Sequence, residues 1–266
     1  MKPFVHLHLH TEYSLLDGAA TIKQLFRKCA ELGMPAVAIT DHGNMFGTCK
    51  FDAEAIYLTC GKKIDVEDFE KTGLEYKVKP IFGCEFYICE DMHDKRPELR
   101  GKNNHLVLLA KNYEGYKNLV KLNSLSYTEG FYVKPRIDVK LLAEHSGDLI
   151  CLSACLAGAV PQKLLARDYE GAKEAALKYI EIFGREDFYI EIQDHNIREQ
   201  KEILNSLIAL ARELGVKVVA TNDVHYLDRT DAEMQKVMQC IAFRRTIDDP
   251  ARSAIQHIVP FSFSPG

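Results

Sequence analysis

Histidine and acidic residues recur in this sequence at spacings that suit metal binding. His8 and His10 alternate near the N-terminus, and alternate residues of a strand point to the same face. Asp223 and His225 show the same spacing near the other end. Imidazole and carboxylate groups are the ligands that zinc and similar transition metals use in proteins. The pattern therefore indicates a metal site that draws its ligands from distant parts of the chain.

Further ligand-type residues directly follow short apolar runs. Asp41 and His42 follow one such run, where the alternative is that Asp41 caps the next turn and His42 is solvated. Glu85 interrupts an apolar stretch, and a buried carboxylate is costly unless it is paired or ligating. Cys155 follows another run. A set of nitrogen, oxygen and one possible sulfur donor suits Zn, Mn or Fe better than Ca or Mg.

Short apolar runs alternate with amphipathic helical patterns along most of the chain. The predicted strands are 4–8, 36–40, 79–82, 106–110, 149–152, 188–192 and 217–221. Repeated β-α units imply a parallel sheet. Seven such units favour a closed or nearly closed barrel, although a doubly wound sheet also fits. In α/β barrels the active site lies at the C-terminal ends of the strands, where most of the ligand-type residues occur here.

One histidine does not follow this rule, and one pair of residues after a strand has an open role. His105 precedes a predicted strand instead of following it, so its spacing alone leaves its role open. Asp194 and His195 follow the sixth predicted strand. They either orient a ligand or substrate from behind the metal ligands, or serve only as turn residues.

Composition narrows the class of protein. The 266 residues carry a net charge of −4, so there is no overall basic surface for nucleic acid. Any DNA contact must then be local, made through bound metal, or supplied by another part of a longer protein. The eight cysteines form no C-x-x-C pair and no signal peptide is visible, which predicts reduced thiols and a cytoplasmic protein. The apolar runs are too short to cross a membrane.

Longer motifs surround the candidate ligands and resemble one known family. They are HLHT at 8–11, YSLLDG at 13–18, ITDHGN at 39–44, HLVLLAKN at 105–112, EGFYVKPRID at 129–138, LSACL at 152–156 and ATNDVHY at 220–226. Together they resemble the PHP (polymerase and histidinol phosphatase) domain of bacterial DNA polymerase III alpha subunits. The resemblance covers residues 1–250, which predicts one metal-dependent phosphoesterase domain there and a divergent or truncated tail at 251–266.

The resemblance implies an α/β fold, a distorted seven-stranded (β/α)7 TIM-like barrel of PHP type, with two to three divalent metal ions (Zn, Mn or Fe). It also implies nine ligands, grouped by metal: His8, His10, Glu85 and Asp223 for the first, Glu85, His105 and Cys155 for the second, and Asp17, His42 and His225 for the third.

The reaction implied by the resemblance is phosphodiester hydrolysis by a metal-bound hydroxide, held by His10, Glu85 and Asp223. The expected substrate is a DNA 3′ end, which gives a 3′→5′ proofreading exonuclease. Lys134 and Arg136 either hold backbone phosphates or are surface charges in a proline-containing turn, and His195 is a further candidate substrate contact. The catalytic carboxylates of the polymerase would lie outside this chain, in the remainder of the alpha subunit.

Three other functions remain open at this point. The domain could be a non-catalytic scaffold that binds metal for stability and docks a separate proofreading exonuclease subunit. It could be a free-standing small-molecule phosphatase, although motifs outside the site, such as Gly130-Phe131-Tyr132, argue against this. An amidohydrolase also uses an H-x-H motif on a barrel, but it usually adds a carboxylated lysine at a strand end, and no strand end here offers an obvious one.

Overall fold

A computed structural model describes residues 4–15 and 17–248. The predicted tail at 251–266 lies outside the described residues. Within them, no helix is both long enough and apolar enough to span a membrane.

The described residues form an α/β fold in which helices and strands alternate through most of the chain. The helices are α1 (Ile22–Glu31), α2 (Thr48–Cys60), α3 (Val66–Thr72), α4 (Tyr113–Thr128), α5 (Val139–Glu144), α6 (Ala159–Leu165), α7 (Tyr169–Asp187), α8 (Arg198–Leu214) and α9 (Ala232–Ala242). The strands are β1 (Ala36–Ile39), β2 (Lys79–Cys89), β3 (Asn104–Ala110), β4 (Arg136–Asp138), β5 (Leu149–Leu152), β6 (Phe188–Ile192) and β7 (Lys217–Ala220). Two short 3-10 helices occupy Pro97–Leu99 and Arg229–Asp231.

The chain divides into two compact units. Unit 1 comprises Met1–Asp41, Phe46–Phe82 and Asn222–Gly266, and unit 2 comprises His42–Met45 and Gly83–Thr221. Each unit has its own apolar core. The candidate ligands are therefore distributed over two structural units, which are described in turn.

The core of unit 1 is built around α1 and a short parallel strand pair. Helix α1 buries Ile22, Leu25, Phe26 and Cys29, a spacing that places four side chains on one helical face. Strand β1 pairs in parallel with the first four residues of β2. The predicted helix that begins after Thr21 is confirmed.

The N-terminal segment of unit 1 differs from the prediction. Residues 4–8 are not a regular strand. The segment instead makes scattered backbone hydrogen bonds on both sides: the amides of Ala38 and Thr40 donate to the carbonyls of His6 and Leu9, and the amide of His10 donates to the carbonyl of Val224. Through these bonds neighbouring elements fix the position of the H-x-H motif, although it belongs to no ladder.

Unit 2 contains a mixed sheet in the order β2-β3-β5-β6-β7, with β4 paired in parallel to β2. The ladders β5–β6 and β6–β7 are parallel, as predicted. Strand β3, however, runs antiparallel to both β2 and β5. The all-parallel arrangement expected of a (β/α)7 barrel is therefore wrong for β3, and the closed barrel form stays a prediction.

The reversal of β3 has a local cause. A parallel connection needs a crossover, usually an α-helix, whereas antiparallel neighbours can be joined by a shorter excursion. Between Cys89 and Asn104 the chain forms only the 3-10 turn at Pro97–Leu99. The chain therefore returns directly along β2. Strand β4 was not predicted, because three residues after Pro135 are too few to show a periodic pattern.

Candidate functional site

In unit 1, three imidazoles surround the carboxylate of Asp223. The Oδ1 atom of Asp223 lies 3.3 Å from Nε2 of His8 and 3.1 Å from Nε2 of His10. The Nδ1 atom of His225 lies 3.7 Å from the same oxygen. The rings of His10 and His225 face each other, with centroids 4.4 Å apart. His8 and His10 of the H-x-H motif are thus brought together with Asp223 and His225 of the D-x-H motif.

The backbone at Asp223 contributes to this geometry. Asp223 has a φ of +47°, a conformation that is uncommon outside glycine. It follows the end of β7 and allows the carboxylate to reach the two N-terminal histidines. Burial by itself would raise the pKa of Asp223, but the nearby His8, His10 and His225 outweigh it and hold this pKa well below its ordinary value. The carboxylate is therefore kept in the ionised form that binds cations.

The ring orientation of His225 follows from its hydrogen bond. Its Nδ1 lies 2.8 Å from the backbone carbonyl oxygen of Asp223. A carbonyl only accepts, so Nδ1 must carry the proton and Nε2 keeps the lone pair. A backbone acceptor of this kind is a common way to fix the tautomer of a metal-binding histidine.

In unit 2, two imidazoles share the carboxylate of Glu85. The Nδ1 atom of His105 lies 2.7 Å from Oε1, and Nδ1 of His42 contacts Oε2. The thiol of Cys155 lies 4.0 Å from Oε1 of Glu85 and 3.9 Å from Nδ1 of His105. One ligand atom from each of His42, Glu85 and His105 lies within 4.8 Å of the others. This is a compact set of donors for a single cation.

Glu85 is only 1% exposed, and its charge is set by its neighbours. Burial would raise its pKa, but the rings of His105 and His42 outweigh that effect and hold the pKa of Glu85 well below its usual range. An ionised carboxylate buried between two imidazoles is what a metal-binding group requires before the metal arrives.

The loop after β1 places His42 beside Glu85. The amide of Gly43 donates to the carbonyl of Glu85 at 2.7 Å. Gly43 has a φ of +57°, and a Cβ there would lie 2.8 Å from Pro135 and 2.9 Å from Tyr87. Any larger residue would therefore be strained and would also collide with its neighbours.

Strand β3 resolves the open question of His105. Because β3 is antiparallel to β2, its first residues lie beside the last residues of β2, and His105 is in register with Tyr87. A histidine at the start of a reversed strand thus reaches the same edge as residues at the ends of forward strands. The spacing rule missed His105 because it assumed that all strands run in one direction.

Both groups fit a transition metal by the chemistry of their donors. Unit 1 offers three imidazoles and a carboxylate, and unit 2 offers two imidazoles, a carboxylate and a thiol. Nitrogen, oxygen and sulfur donors in sets of four match zinc and related ions. That these residues are metal ligands remains a prediction. It also remains a prediction that Glu85 or His42 shares a metal ion with residues of unit 1.

Asp17 lies in the turn that follows the H-x-H motif. Its amide donates to the carbonyl of Ser14 at 3.2 Å, and nearby Ala19 donates to the carbonyl of His225 at 2.7 Å. The turn therefore runs alongside His225 within unit 1. Coordination of a metal by Asp17 remains a prediction.

Arg136 does not have the exposed position expected of a phosphate-binding residue. It is 2% exposed, and its guanidinium donates to the backbone carbonyls of Gly130, Met92 and Asp94. The expectation of a substrate contact is therefore corrected: Arg136 uses these donors to hold the surrounding chain. Lys134, two residues earlier, is exposed.

Lys134 borders the donors of unit 2 through Tyr87, a residue that the sequence analysis did not select. The Lys134 ammonium lies 3.3 Å from the Tyr87 hydroxyl and 5.0 Å from the centroid of its ring. The ring of Tyr87 in turn packs on His42 and His105, at centroid distances of 6.4 and 5.2 Å. Strand alternation, which places Glu85 and Tyr87 on one face, was the signal that could have revealed it.

His195 belongs to a buried polar network next to β6. Its Nδ1 lies 2.9 Å from the amide nitrogen of Gln200, which also donates to Gln193 at 3.1 Å. Gln193 donates to the buried carboxylate of Glu191 at 2.9 Å. These contacts account for the position of His195, and its predicted contact with substrate stays a prediction.

Thiol labelling tests whether Cys155 is a metal ligand. Exposed Cys49 should react with iodoacetamide with or without zinc, and buried Cys29, whose pKa is raised to about 12 by burial, should stay unmodified in the folded protein. Half-buried Cys155 should react in metal-free protein and be protected by saturating zinc. Mass spectrometry of the labelled peptides gives the three rates, and equal labelling of Cys155 in both states would contradict its role.

Comparison with known proteins points to one family. The family model described as the PHP domain matches residues 6–195. The DNA polymerase III subunit alpha of Treponema pallidum is 43% identical over 251 residues, which are 94% of this chain and 20% of that protein. The DNA polymerase III subunit alpha of Helicobacter pylori is 44% identical over 261 residues, again 94% of this chain and 20% of the relative.

This chain thus spans about a fifth of the length of the curated relatives that it matches. It is similar to their N-terminal part. Among solved structures, a candidate metal-dependent phosphoesterase from Bifidobacterium adolescentis has a TM-score of 0.45 and 14% identity, with 85% of this chain and 88% of that chain covered.

Proposed function

Since this chain belongs to the PHP domain family, we propose that it is a metal-dependent phosphodiesterase that removes nucleotides from DNA 3′ ends. The observation that carries the proposal is the presence, in each unit, of a carboxylate held ionised by imidazoles. In unit 2 this is Glu85 with His42 and His105, and in unit 1 it is Asp223 with His8 and His10. The similarity to polymerase subunits supports DNA as the substrate.

The donors present in each unit suggest how metal would be held. In unit 1 His8, His10, Asp223 and His225 would bind one ion, and in unit 2 His42, Glu85, His105 and Cys155 would bind another. A bound divalent ion supplies Lewis-acid chemistry, because it lowers the pKa of a coordinated water and neutralises charge on phosphate oxygens. Asp17 is the further ligand that the family resemblance implies.

The chain's own residues would supply orientation and charge. The proton on Nδ1 of His225 directs its Nε2 lone pair outward from the Asp223 carbonyl. Lys134 is an exposed cation that contacts Tyr87, whose ring packs on His42 and His105, and it would hold a backbone phosphate. Because the net charge of the chain is −4, a local cation of this kind would favour contact with a phosphate where the whole surface does not.

We further propose that the chain works as the N-terminal part of a polymerase alpha subunit. The DNA 3′ end would then be delivered by the rest of that subunit. The competing role is a scaffold that keeps its metals for stability and docks a separate exonuclease subunit.

An oligonucleotide assay decides between these roles. We expect the chain, loaded with Mn²⁺ or Zn²⁺, to release the terminal nucleotide from a 3′-labelled single strand, and we expect a chelator to stop the release. The His10→Ala, Asp223→Ala double variant should lose the activity. The control is Asp91→Ala, His93→Ala, which also removes one carboxylate and one imidazole, but at exposed positions outside the predicted ligand set, and it should cleave like the wild type.

Absence of cleavage from a folded chain with stoichiometric metal would overturn the nuclease and favour the scaffold. Turnover of p-nitrophenyl phosphate without cleavage of DNA would instead indicate a small-molecule phosphatase.

A further inference from the structure

A second buried carboxylate in unit 1 lies close to the metal-binding group but outside the predicted ligand set. Asp41 is 1% exposed, and each of its oxygens accepts hydrogen bonds. The backbone amide of Thr11 donates at 2.6 Å and its hydroxyl at 2.8 Å, while the hydroxyl of Ser14 donates at 2.7 Å. Asp41 therefore holds the turn that follows the H-x-H motif.

Ser14 connects this carboxylate to a candidate metal ligand. Its hydroxyl oxygen lies 3.0 Å from Nδ1 of His10, and Ser14 is itself buried. The three groups form a chain that runs from Asp41 through Ser14 to His10.

The number of available protons fixes the donor and the acceptor of each hydrogen bond between Asp41, Ser14 and His10. A carboxylate only accepts, so Ser14 must give its single hydroxyl proton to Asp41. Towards His10 the same hydroxyl can then only accept, and Nδ1 of His10 must carry a proton. Nε2 is therefore the nitrogen left for a metal. It lies 3.1 Å from the ionised Oδ1 of Asp223, so in the metal-free protein it can carry a second proton, which a bound metal would replace.

We propose that Asp41 and Ser14 are positioning residues that fix the tautomer and orientation of His10 for metal binding through Nε2. This inference rests on the proposed function, since it takes His10 as a ligand. Groups that hold the far nitrogen of a metal-binding histidine typically raise metal affinity by about 10- to 100-fold. His225 obtains the same Nδ1 proton position from a backbone carbonyl, whereas His10 obtains it from a side chain.

Other hydrogen bonds hold the backbone around His10, and they involve neither Asp41 nor Ser14. The amide of Leu9 donates to the Thr40 hydroxyl at 2.8 Å, and the amide of His10 donates to the carbonyl of Val224 at 2.7 Å. Removal of the Ser14 hydroxyl should therefore release the His10 ring and leave the segment in place.

The test uses the metal-free and the zinc-titrated protein. In the metal-free wild type, ¹⁵N NMR of the imidazoles should show His10 protonated on Nδ1. In Ser14→Ala this tautomer should no longer dominate, and the dissociation constant for Zn²⁺ should rise by about 10- to 100-fold. Ser14→Thr, which keeps a hydroxyl, should restore both readouts. Ser126→Ala removes another buried hydroxyl, which bonds a backbone carbonyl, and should change neither.

A wild-type His10 without a proton on Nδ1 would overturn the inference, and so would a Ser14→Ala protein with unchanged Nδ1 protonation and zinc affinity. If Ser14→Ala fails to fold, the protonation of His10 Nδ1 in the wild type still tests the inference. If the wild type binds no zinc, the proposed function fails, while the NMR measurement continues to test the positioning of His10.

Discussion

Replacing Glu85 with glutamine is expected to lower the metal affinity of unit 2 by at least about 100-fold, because removal of groups that only support a ligand already costs about 10- to 100-fold. The amide keeps the size of the side chain but has no charge and only one acceptor oxygen. His42 and His105 each face a separate carboxylate oxygen in the structure. In the variant, one of these rings meets an NH₂ group, and a divalent ion loses its only anionic oxygen among the unit 2 donors.

Competition with a chelator of known affinity measures this loss, and metal analysis after gel filtration gives the stoichiometry. Glu90→Gln is the matched control, since Glu90 directly follows β2 and is exposed. We expect Glu90→Gln to bind metal like the wild type. Wild-type affinity and stoichiometry in Glu85→Gln would exclude Glu85 as a ligand, provided that circular dichroism shows an unchanged fold.

The second large effect concerns stability. Arg136→Ala should lower the free energy of unfolding by about 3 to 5 kcal/mol, because three carbonyl groups lose a charged donor and each buried acceptor left unpaired costs about 1 to 3 kcal/mol. The guanidinium donates to Met92 at 2.9 Å and to Gly130 and Asp94 at 3.1 Å. For a chain of this size the melting temperature should fall by roughly 10 °C.

Lys134→Ala is the control on the same turn. Lys134 is exposed, so its truncation should change the free energy of unfolding by less than about 0.5 kcal/mol. If Lys134 holds a phosphate, the same variant should raise KM for the oligonucleotide without lowering the melting temperature. Urea and thermal unfolding of both variants separate the two roles, and an Arg136→Ala protein as stable as the wild type would contradict the structural role of Arg136.

Local patterns in the sequence were sufficient for most elements. Strands β5 and β6 begin and end at the predicted residues, and α1 begins after Thr21 as predicted. Apolar periodicity is a local property, so it can be read without knowledge of distant contacts. The same holds for the ligand-type residues, whose spacing placed them at strand ends, although their role as ligands remains to be tested.

Properties that depend on strand direction could not be read in this way. The sequence predicts a strand at 106–110 but does not state which way it runs relative to β2. In the structure the connection before it contains no α-helix, and the strand is antiparallel to β2. That reversal places His105 beside Glu85. A rule based on parallel strands therefore left His105 open, and only the family resemblance included it.

The sequence by itself determined which residue types are available for metal chemistry and where most of the strands lie, because both depend on composition and local period. The tertiary structure alone decided what each polar side chain contacts. Arg136 is buried against three carbonyls instead of facing a phosphate, and Asp41 holds Ser14 and Thr11, residues 27 and 30 positions away. Hydrogen bonds between such distant residues leave no periodic signal in the sequence, since their partners are brought together only when the chain folds.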